Sequence, residues 1–142
     1  MKRDRDDTDF RGIAQSYRKR EDGCVFCEMA QGEVLSENEL CYARDDLHPV
    51  TKYHALIIPK RHVPDFFNLY QPEINAVHAL LRETKKTIEG LDETVTGYNV
   101  GLNSGEDAGQ IIFHCHIHLI PRRKGDTKNL RGWPAPLKGL QL

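Results

Sequence analysis

The clearest periodic pattern in the chain predicts an amphipathic helix over residues 71–90. Apolar side chains recur there at steps of three, four and one residues, which places them on one stripe of a helix. Charged side chains occupy the other side, and Gly90 is a good stop signal. The apolar stripe consists of Ile74, Val77, Leu80, Leu81, Thr84 and Ile88, and the charged side of Arg82, Glu83, Lys85, Lys86 and Glu89.

Shorter apolar runs on either side of this helix predict strands. Two short strands at 34–35 and 39–43 flank a turn at 36–38, and a buried strand at 54–58 ends at a proline. Pro64 can open a short helical turn that directs Phe66 and Phe67 inward. Further strands are predicted at 94–102 and 110–120. One main helix among these strands predicts an α+β domain with a largely antiparallel sheet.

The predicted last strand carries the most informative pattern of the chain. Side chains alternate across a strand, so residues 111, 113, 115, 117 and 119, which are all apolar, are expected to face the core. The opposite face then carries His114, His116 and His118, spaced about 6.6 Å apart along the strand. Three imidazoles in register opposite an unbroken apolar face indicate a function beyond that of ordinary half-buried histidines.

Two functions fit a row of histidines equally well on local sequence alone. Two histidines at i and i+2 on a strand can bind one metal ion. A neutral imidazole, with an ordinary pKa of about 6.5, is also well suited to nucleophilic and acid–base chemistry. The spacing does not separate these alternatives.

Length and charge restrict the class of protein. The chain has 142 residues, with 20 Lys and Arg against 21 Asp and Glu, which fits one domain. This balance gives no basic surface for nucleic acid, so we expect local chemistry to hold any phosphate and no nucleic-acid partner. No apolar run approaches the roughly 18 residues of a membrane span, and the charged N-terminus is unlike a secretory signal. We therefore expect a cytoplasmic protein with no membrane partner.

The composition along the chain predicts three segments. Residues 1–22 form a charged extension, either disordered or folded as a short docking helix through Phe10, Ile13 and Tyr17. Residues 23–126 form the globular domain. Residues 127–142 form an irregular tail rich in glycine, proline and basic residues.

Cys24 and Cys27 form a close pair, whereas the two other cysteines stand apart in apolar surroundings. In a reducing compartment a Cys-x-x-Cys pair indicates a metal or redox site before a disulfide. Two cysteines supply only half of a tetrahedral zinc shell, and the pair follows a charged segment rather than the strand that a redox motif favours. Metal ligands, redox cysteines and ordinary core cysteines remain as alternatives.

The run from His114 to Ile120 resembles the His-φ-His-φ-His-φ-φ signature of the histidine-triad superfamily, in which φ is apolar. The similarity extends in order from about Gly23 to Asp126. It includes Asp46, His54, the stretch 56–62 (Leu-Ile-Ile-Pro-Lys-Arg-His), Asn103-Ser104-Gly105, Gly109-Gln110 and the stretch 121–126 (Pro-Arg-Arg-Lys-Gly-Asp).

This resemblance implies a fold of about five antiparallel strands with one long helix and short helices, assembled as a homodimer. It also implies a purine nucleotide substrate of the AMP type, cleaved at the α-phosphate. By the same resemblance His116 is the nucleophile and forms a transient nucleotidyl-histidine, which splits one difficult displacement into two easier ones. His118 and His54 would stabilise the phosphate oxygens and assist the leaving group.

The resemblance also implies substrate contacts outside the triad. Asp46 would accept the ribose hydroxyls, and Asn103 and Gln110 would contact the phosphate or the leaving group. If the family resemblance is set aside, the sequence indicates only a turn residue at Asp46 and ordinary loop and strand-end residues at Asn103 and Gln110. Four features depart from the family pattern. Ile111 replaces the usual Ser or Thr, Tyr53 replaces the usual Gly or Thr, and His48 fills a position that is commonly Asn or a small residue. The stretch 130–133 (Leu-Arg-Gly-Trp) is also unusual after the Gly-Asp.

The third histidine favours one branch of the superfamily. Transferase members usually carry Gln at the position of His118, so the chain resembles the hydrolases, which act on dinucleoside polyphosphates or nucleoside phosphoramidates. The alternatives are a nucleotidyl transferase or phosphorylase, a nucleotide-binding regulatory protein with incidental hydrolysis, and a metallohydrolase. Each of these would use the same face of the strand.

Some superfamily members complete a structural zinc site with two histidines. The corresponding residues here are His62 and His114, which with Cys24 and Cys27 would make a closed shell of four ligands. The resemblance therefore implies structural zinc and no catalytic cofactor. His114 would then support the strand without contacting substrate.

Overall fold

The computed structural model describes residues 15–29 and 33–127, and it confirms the α+β fold with a five-stranded antiparallel sheet. Its elements are, in chain order, helix α1 (Val25–Met29), strands β1 (Ser36–Glu37), β2 (Cys41–Asp45) and β3 (Ala55–Pro59), helix α2 (Gln71–Leu91), and strands β4 (Val95–Gly101) and β5 (Ile117–Arg123). Short 3-10 turns lie at Phe66–Asn68 and Glu106–Ala108. The sheet order is β1-β2-β3-β5-β4, so β5 lies inside the sheet beside β3, and β4 is an edge.

Helix α2 spans the predicted range and one residue more. Its first turn is stabilised by Glu73, whose side chain accepts the backbone N–H of Tyr70 (2.8 Å) and receives Nε and Nη2 of the buried Arg61 (2.9 and 2.8 Å). The carboxylate of Glu73 is fully buried but paired on both oxygens, so it satisfies the donors of the helix start at little cost. The buried stripe includes Val77, Leu80, Thr84 and Ile88, as the periodicity predicts.

The two faces of the sheet have different cores. Against α2, the sheet buries a cluster that includes Cys41, Ala43, Ile57, Leu80 and Ile117. On the other face, alternate residues of β2 and β3 pack on α1; this cluster contains Phe26, Tyr42, Leu56 and Ile58. Since Leu56 pairs directly with His118, the histidine lies on the α1 face of the sheet.

The prediction of the last strand is wrong for its first seven residues, because β5 begins at Ile117 rather than at residue 110. Gly109 adopts a left-handed φ of 96°, and the backbone N–H of Cys115 donates to Val63 O (2.7 Å) instead of extending the ladder. Without strand pairing the alternation fails at Ile111 and Phe113, which are 52% and 46% exposed rather than part of the core. From residue 114 onward the alternation holds.

Two local predictions also need correction. The first strand is Ser36–Glu37 rather than 34–35, because Asn38 Oδ1 accepts the N–H groups of Leu40 and Cys41 and places the turn after residue 37. Phe67 is 81% exposed rather than inward, whereas Phe66 packs on the α2-side core. Asp65 caps the turn by accepting the N–H of Phe67, and the Phe67 ring packs edge-on against Phe66 (5.6 Å between centroids) instead of entering the core.

The N-terminal docking helix through Phe10 and Ile13 lies outside the described residues, and so does the predicted tail from residue 128 onward. Within the described ranges, no helix is both long and apolar enough to cross a membrane.

Candidate active site and metal centre

The three histidines predicted from the strand pattern share the α1 face of the sheet. Side chains 114, 116 and 118 are 0%, 5% and 2% exposed, while the intervening Cys115 and Ile117 belong to the α2-side core. The ring of His116 lies 5.4 Å from that of His118, centroid to centroid. The histidines are thus brought together as predicted, although only the third belongs to a regular strand.

The ring of His116 is oriented by a hydrogen bond two residues back. Its Nδ1 lies 2.8 Å from the carbonyl oxygen of His114, and because a carbonyl only accepts, Nδ1 must carry the proton. In the neutral ring the lone pair is then on Nε2. An imidazole with a fixed tautomer and a directed lone pair is what nucleophilic attack requires.

His118 and His54 form a second hydrogen-bonded unit. The backbone N–H of Val50 donates to His54 Nδ1 (3.0 Å), so the proton of the neutral His54 ring is on Nε2. This Nε2–H lies 2.9 Å from Nδ1 of His118, which therefore accepts it. The remaining nitrogen of His118, Nε2, is left as a proton donor.

Asp46 lies beside this pair and is 4% exposed. Its Oδ1 accepts the backbone N–H of His48 (2.8 Å), and its Oδ2 is 3.2 Å from His54 Nε2 and 3.5 Å from His118 Nδ1. The single proton of His54 Nε2 points to His118, so Oδ2 accepts no hydrogen bond from the described residues. A buried carboxylate oxygen with spare acceptor capacity is thus available to a ligand hydroxyl.

Burial governs the titration of these groups. It lowers the pKa of His54 to about 4, against an opposing contribution from Asp46, so the ring is neutral at physiological pH. Burial alone would raise the pKa of Asp46, but the contacts with His118, the His48 N–H and His54 outweigh it and lower the pKa. The unit therefore combines a neutral imidazole with an ionised carboxylate.

The four residues predicted as zinc ligands also come together, on the opposite side of His116. The ligand atoms of Cys24, Cys27, His62 and His114 all lie within 4.8 Å of one another. Nδ1 of His114 is 3.4 Å from Cys24 Sγ and 3.5 Å from Cys27 Sγ, and Nδ1 of His62 is 3.4 Å from Cys27 Sγ. A tetrahedral zinc ion with ordinary bond lengths places sulfur and nitrogen ligands about 3.5 Å apart. The four residues therefore fit zinc.

In both histidines of this cluster, the outer ring nitrogen, which points away from the cysteines, donates a hydrogen bond to an acceptor. Nε2 of His114 donates to Pro59 O (2.7 Å), and Nε2 of His62 donates to the Glu21 carboxylate (2.8 Å). Each ring therefore directs the lone pair of its Nδ1 into the cluster, the arrangement that metal-ligating histidines use. Burial lowers the pKa of His114 to about 4 and raises the pKa of the Cys27 thiol.

Sequence reasoning missed Glu21, which belongs to the predicted charged extension. Its backbone N–H also contacts Cys27 Sγ (3.5 Å), and the neighbouring Lys19 carbonyl accepts the N–H of His62 (2.8 Å). These contacts join residues far apart in sequence, and Glu21 stands among many other charged residues. Its spacing of three residues before Cys24 was the one available signal.

The loop before the histidines contains the two remaining predicted site residues. Gln110 is 4% exposed; its side chain donates to the carbonyls of Pro64 (2.7 Å) and Ile112 (3.0 Å) and accepts the N–H of Gly105 (2.7 Å). It therefore braces the loop. Asn103 lies against Gly109, where a Cβ would be 3.2 Å from Asn103 Nδ2. Substrate contacts by Asn103 and Gln110 remain predictions.

An apolar pocket opens on the α1 face near Asp46. It is small, with room for about 30 Å³, and Arg44 and Asp45 line it besides the apolar side chains. Its apolar lining residues are Val25, Phe26, Met29, Leu47, Leu56 and Ile112.

Comparison with known proteins gives consistent matches. The family model described as the HIT domain matches residues 28–125. An adenosine 5'-monophosphoramidase of Candida albicans, HNT1, is 35% identical over 120 residues, which cover 79% of this chain and 78% of that protein. The adenylylsulfatase HINT3 of Arabidopsis thaliana is 37% identical over 72% of this chain and 54% of its own length. A crystal structure of a zinc-bound histidine triad family protein from Mycobacterium smegmatis superposes with a TM-score of 0.67 at 29% identity, covering 74% of this chain and 78% of that chain.

Proposed function

Because the chain belongs to the histidine-triad (HIT) family, we propose that it hydrolyses purine nucleotide conjugates at the α-phosphate through a covalent intermediate on His116. The observation that carries this proposal is the hydrogen bond from His116 Nδ1 to the His114 carbonyl, which leaves the Nε2 lone pair as the nucleophile. The relatives named above for hydrolysis of adenosine phosphoramidate and adenylyl sulfate support the same reaction class.

The first step forms a bond between His116 Nε2 and the α-phosphorus while the bond to the leaving group breaks. The leaving group departs with the bonding electron pair and takes the Nε2 proton of His118, which enters the step as the imidazolium and leaves it as a neutral ring, with the carboxylate of Asp46 beside its Nδ1. In the second step water attacks the same phosphorus, the P–N bond to His116 breaks, and the water proton returns to His118. His54 and Asp46 hold the His118 ring on its Nδ1 side, 2.9 Å and 3.5 Å from that atom, so Nε2 is the atom that exchanges the proton.

The buried carboxylate of Asp46 supports a nucleoside substrate. Its Oδ2 accepts no hydrogen bond from the described part of the chain, and a ribose hydroxyl is a suitable donor for it. The adjacent apolar pocket presents Val25, Leu47 and Ile112 to a nucleobase. We propose that Asn103 contacts the phosphate and that Gln110 contributes by holding the loop.

Ile111 and His118 are the two residues that bear on the nature of the leaving group. Ile111 is exposed and offers no hydroxyl at the position where many family members carry Ser or Thr. An amine must gain a proton in order to leave, whereas a phosphate leaves as an anion, so an acid at His118 benefits a phosphoramidate most. We therefore rank adenosine phosphoramidates ahead of dinucleoside polyphosphates as substrates.

We propose further that Cys24, Cys27, His62 and His114 hold one structural zinc ion. When bound, zinc would cross-link α1 to the segment before β5, and no step of the reaction passes through it. Two thiolate ligands require a reducing compartment, which supports a cytoplasmic location. Strand β4 is at an edge of the sheet, where its backbone groups can pair with a second copy of the chain, and Val100 on this strand is 48% exposed. Both features support the proposed homodimer.

The test is turnover of adenosine 5'-phosphoramidate by the wild type and by His116→Ala, with His78→Ala as the matched control. His78 is exposed on α2, away from the site. We expect His116→Ala to lose roughly 10⁴- to 10⁶-fold in kcat, as when other enzymes lose a nucleophile, and His78→Ala to retain the wild-type rate. A His116→Ala protein within tenfold of wild type would contradict the proposal.

A further inference from the structure

Helix α1 belongs to two sites at once. It begins directly after Cys24 and carries Cys27, two of the four residues of the metal cluster. It has only five residues, far fewer than the roughly 12–15 that an isolated helix needs for stability in water. The position of α1 therefore depends on its tertiary contacts, and ligation of the two cysteines would be one of the strongest.

The side chains of α1 contact the proposed nucleotide site. Phe26 is 1% exposed, and its ring centroid lies 4.8 Å from that of His116 and 5.9 Å from that of His114. Val25, Phe26 and Met29 form the α1 side of the apolar pocket, facing Leu47. A shift of α1 would thus change the pocket wall and the packing of the nucleophile together.

His114 makes a second connection between the sites. Its Nδ1 points to the two cysteine sulfurs, and its carbonyl oxygen accepts Nδ1–H of His116. Its Nε2 is tied to Pro59 O, so ligation would fix both ends of the ring. The residue that binds the metal also sets the tautomer of the nucleophile.

We propose that metal binding and nucleotide binding are coupled through α1 and His114, with Phe26 as the positioning residue that links them. Metal in the cluster holds Phe26 against His116 and completes the pocket wall, which strengthens nucleotide binding. By thermodynamic reciprocity, bound nucleotide tightens metal binding by the same factor. This inference rests on the proposed function, because it requires the nucleotide to occupy this pocket.

The coupling is partial, because α1 has contacts that do not involve the metal. The hydroxyl of Tyr42 donates to the Phe26 carbonyl, and the Phe26 ring packs with Leu56 and Ile58. These contacts keep part of the pocket wall when the cluster is empty. We therefore expect a coupling factor of about tenfold, within the usual range of roughly 5- to 150-fold.

The experiment measures both directions of the coupling with Zn²⁺ and AMP as probes. The Kd of AMP is measured by calorimetry for the full chain loaded with Zn²⁺ and after chelation. The Kd of Zn²⁺ is measured by competition with a chromophoric chelator, with and without saturating AMP. We expect both ratios to be near tenfold and equal, and we expect ¹⁵N-histidine spectra to show the Nδ1–H form of His116 broadened or lost without Zn²⁺.

Phe26→Leu separates coupling through α1 from a general effect of folding. This variant keeps all four ligands and an apolar side chain but loses the ring contact with His116. Phe66→Leu makes the same change in the α2-side core and serves as the control. We expect the coupling factor to fall below about threefold in Phe26→Leu and to stay near tenfold in Phe66→Leu.

Equal factors in the two variants would overturn the proposal, since coupling would then come from global stability alone. Kd ratios of one in the wild type, which mean that neither ligand changes the affinity for the other, would overturn it as well. If the Zn²⁺-loaded wild type binds no AMP, the proposed function fails together with the coupling. If AMP binds equally in both metal states, only the coupling fails.

Discussion

Two groups of side chains, all buried except the half-buried Cys24, flank His116, and both bring ligand-type atoms within 4.8 Å of one another. One consists of Cys24, Cys27, His62 and His114, and the other of Asp46, His54 and His118. Judged by composition and distance alone, either group could hold a metal ion. The two groups differ in the hydrogen-bond partners of the histidine nitrogens that point away from the group.

In the cysteine-containing group the outer nitrogens donate to acceptors. Pro59 O and the Glu21 carboxylate take the Nε2–H of His114 and His62, so the inner lone pairs are free for a metal. In the Asp46 group the relation is reversed. Val50 N–H donates to His54 Nδ1, so the inner Nε2 carries a proton and cannot ligate while the ring is neutral.

One backbone donor therefore distinguishes the proposed proton-transfer unit from the proposed metal site in the same fold. The comparison predicts that changes in the Asp46 group alter the chemistry and leave the metal in place. Changes around the cysteine group should alter metal affinity first.

Among changes within these two groups, the largest effect is expected for His118→Ala. Loss of the proposed general acid should lower kcat by about 10²- to 10⁴-fold, as for other general acids. Bound zinc, measured by elemental analysis, should remain at the wild-type level, because His118 is not in the cysteine-containing group. A variant that loses its zinc would show that the two groups are not separate.

A substrate whose leaving group needs no proton sharpens this prediction. An adenylate ester of a phenol with a low pKa should restore most of the rate to His118→Ala. The same defect on both substrates would contradict a role of His118 as the acid.

The neutral state of His54 gives a defined pH dependence. Its pKa is lowered to about 4 in the folded protein from an ordinary 6.5, so between these pH values the unfolded chain binds the proton and the folded chain does not. The free energy of unfolding should therefore decrease as pH falls from 6.5 to 4, by about 3 kcal/mol from this residue. Urea denaturation across this range should show a flatter profile for His54→Gln. Parallel profiles for the two proteins would contradict the assignment.

Glu21→Gln tests the outer partner of the metal group. Loss of the carboxylate that orients His62 should weaken Zn²⁺ affinity by about 10-fold, at the lower end for such partners because the Glu21 side chain is 62% exposed. Glu28→Gln, an exposed carboxylate on α1, is the matched control and should bind Zn²⁺ as the wild type does. Equal affinity of both variants would remove Glu21 from the metal centre.

The smallest effect concerns the backbone before His54. Tyr53 has a φ of 72°, the one positive φ of a non-glycine residue among those described, at a position where the family usually has Gly or Thr. Tyr53→Gly and Tyr53→Ala remove the same ring contacts, but only glycine relieves the backbone. The glycine variant should be more stable than the alanine variant by about 1 kcal/mol in thermal or urea denaturation. A more stable alanine variant would show that this backbone is not strained.

The part of the site that alternates could be predicted from the sequence. Cys115, Ile117 and Leu119 face the core and the three histidines face α1, because alternation depends only on local extended backbone. The same rule failed at Ile111 and Phe113, because their segment turns past Val63 instead of pairing with a strand. Whether a segment pairs depends on distant residues, which local sequence does not reveal.

Contacts between distant residues required either the family resemblance or the structure. The resemblance grouped Cys24 with His62 and His114, and Asp46 with His54, which the structure brings together. The Glu21 contact with His62 had no counterpart in the pattern, since it depends on how the N-terminal segment packs. The tautomers of the histidines depend on backbone partners such as Val50 N–H, and these partners follow from the geometry of the folded chain.

The most direct test of the account is to capture the intermediate on His116. Full-length protein is mixed with adenosine 5'-phosphoramidate, quenched within milliseconds at alkaline pH, where a phosphorus–nitrogen bond to histidine survives, and analysed by intact mass and peptide mapping. We predict one added adenylyl group on His116 of the wild type, more of it in His118→Ala given the activated phenyl ester, and none in His116→Ala. An adenylyl group on another residue, or one that persists in His116→Ala, would show that His116 is not the nucleophile.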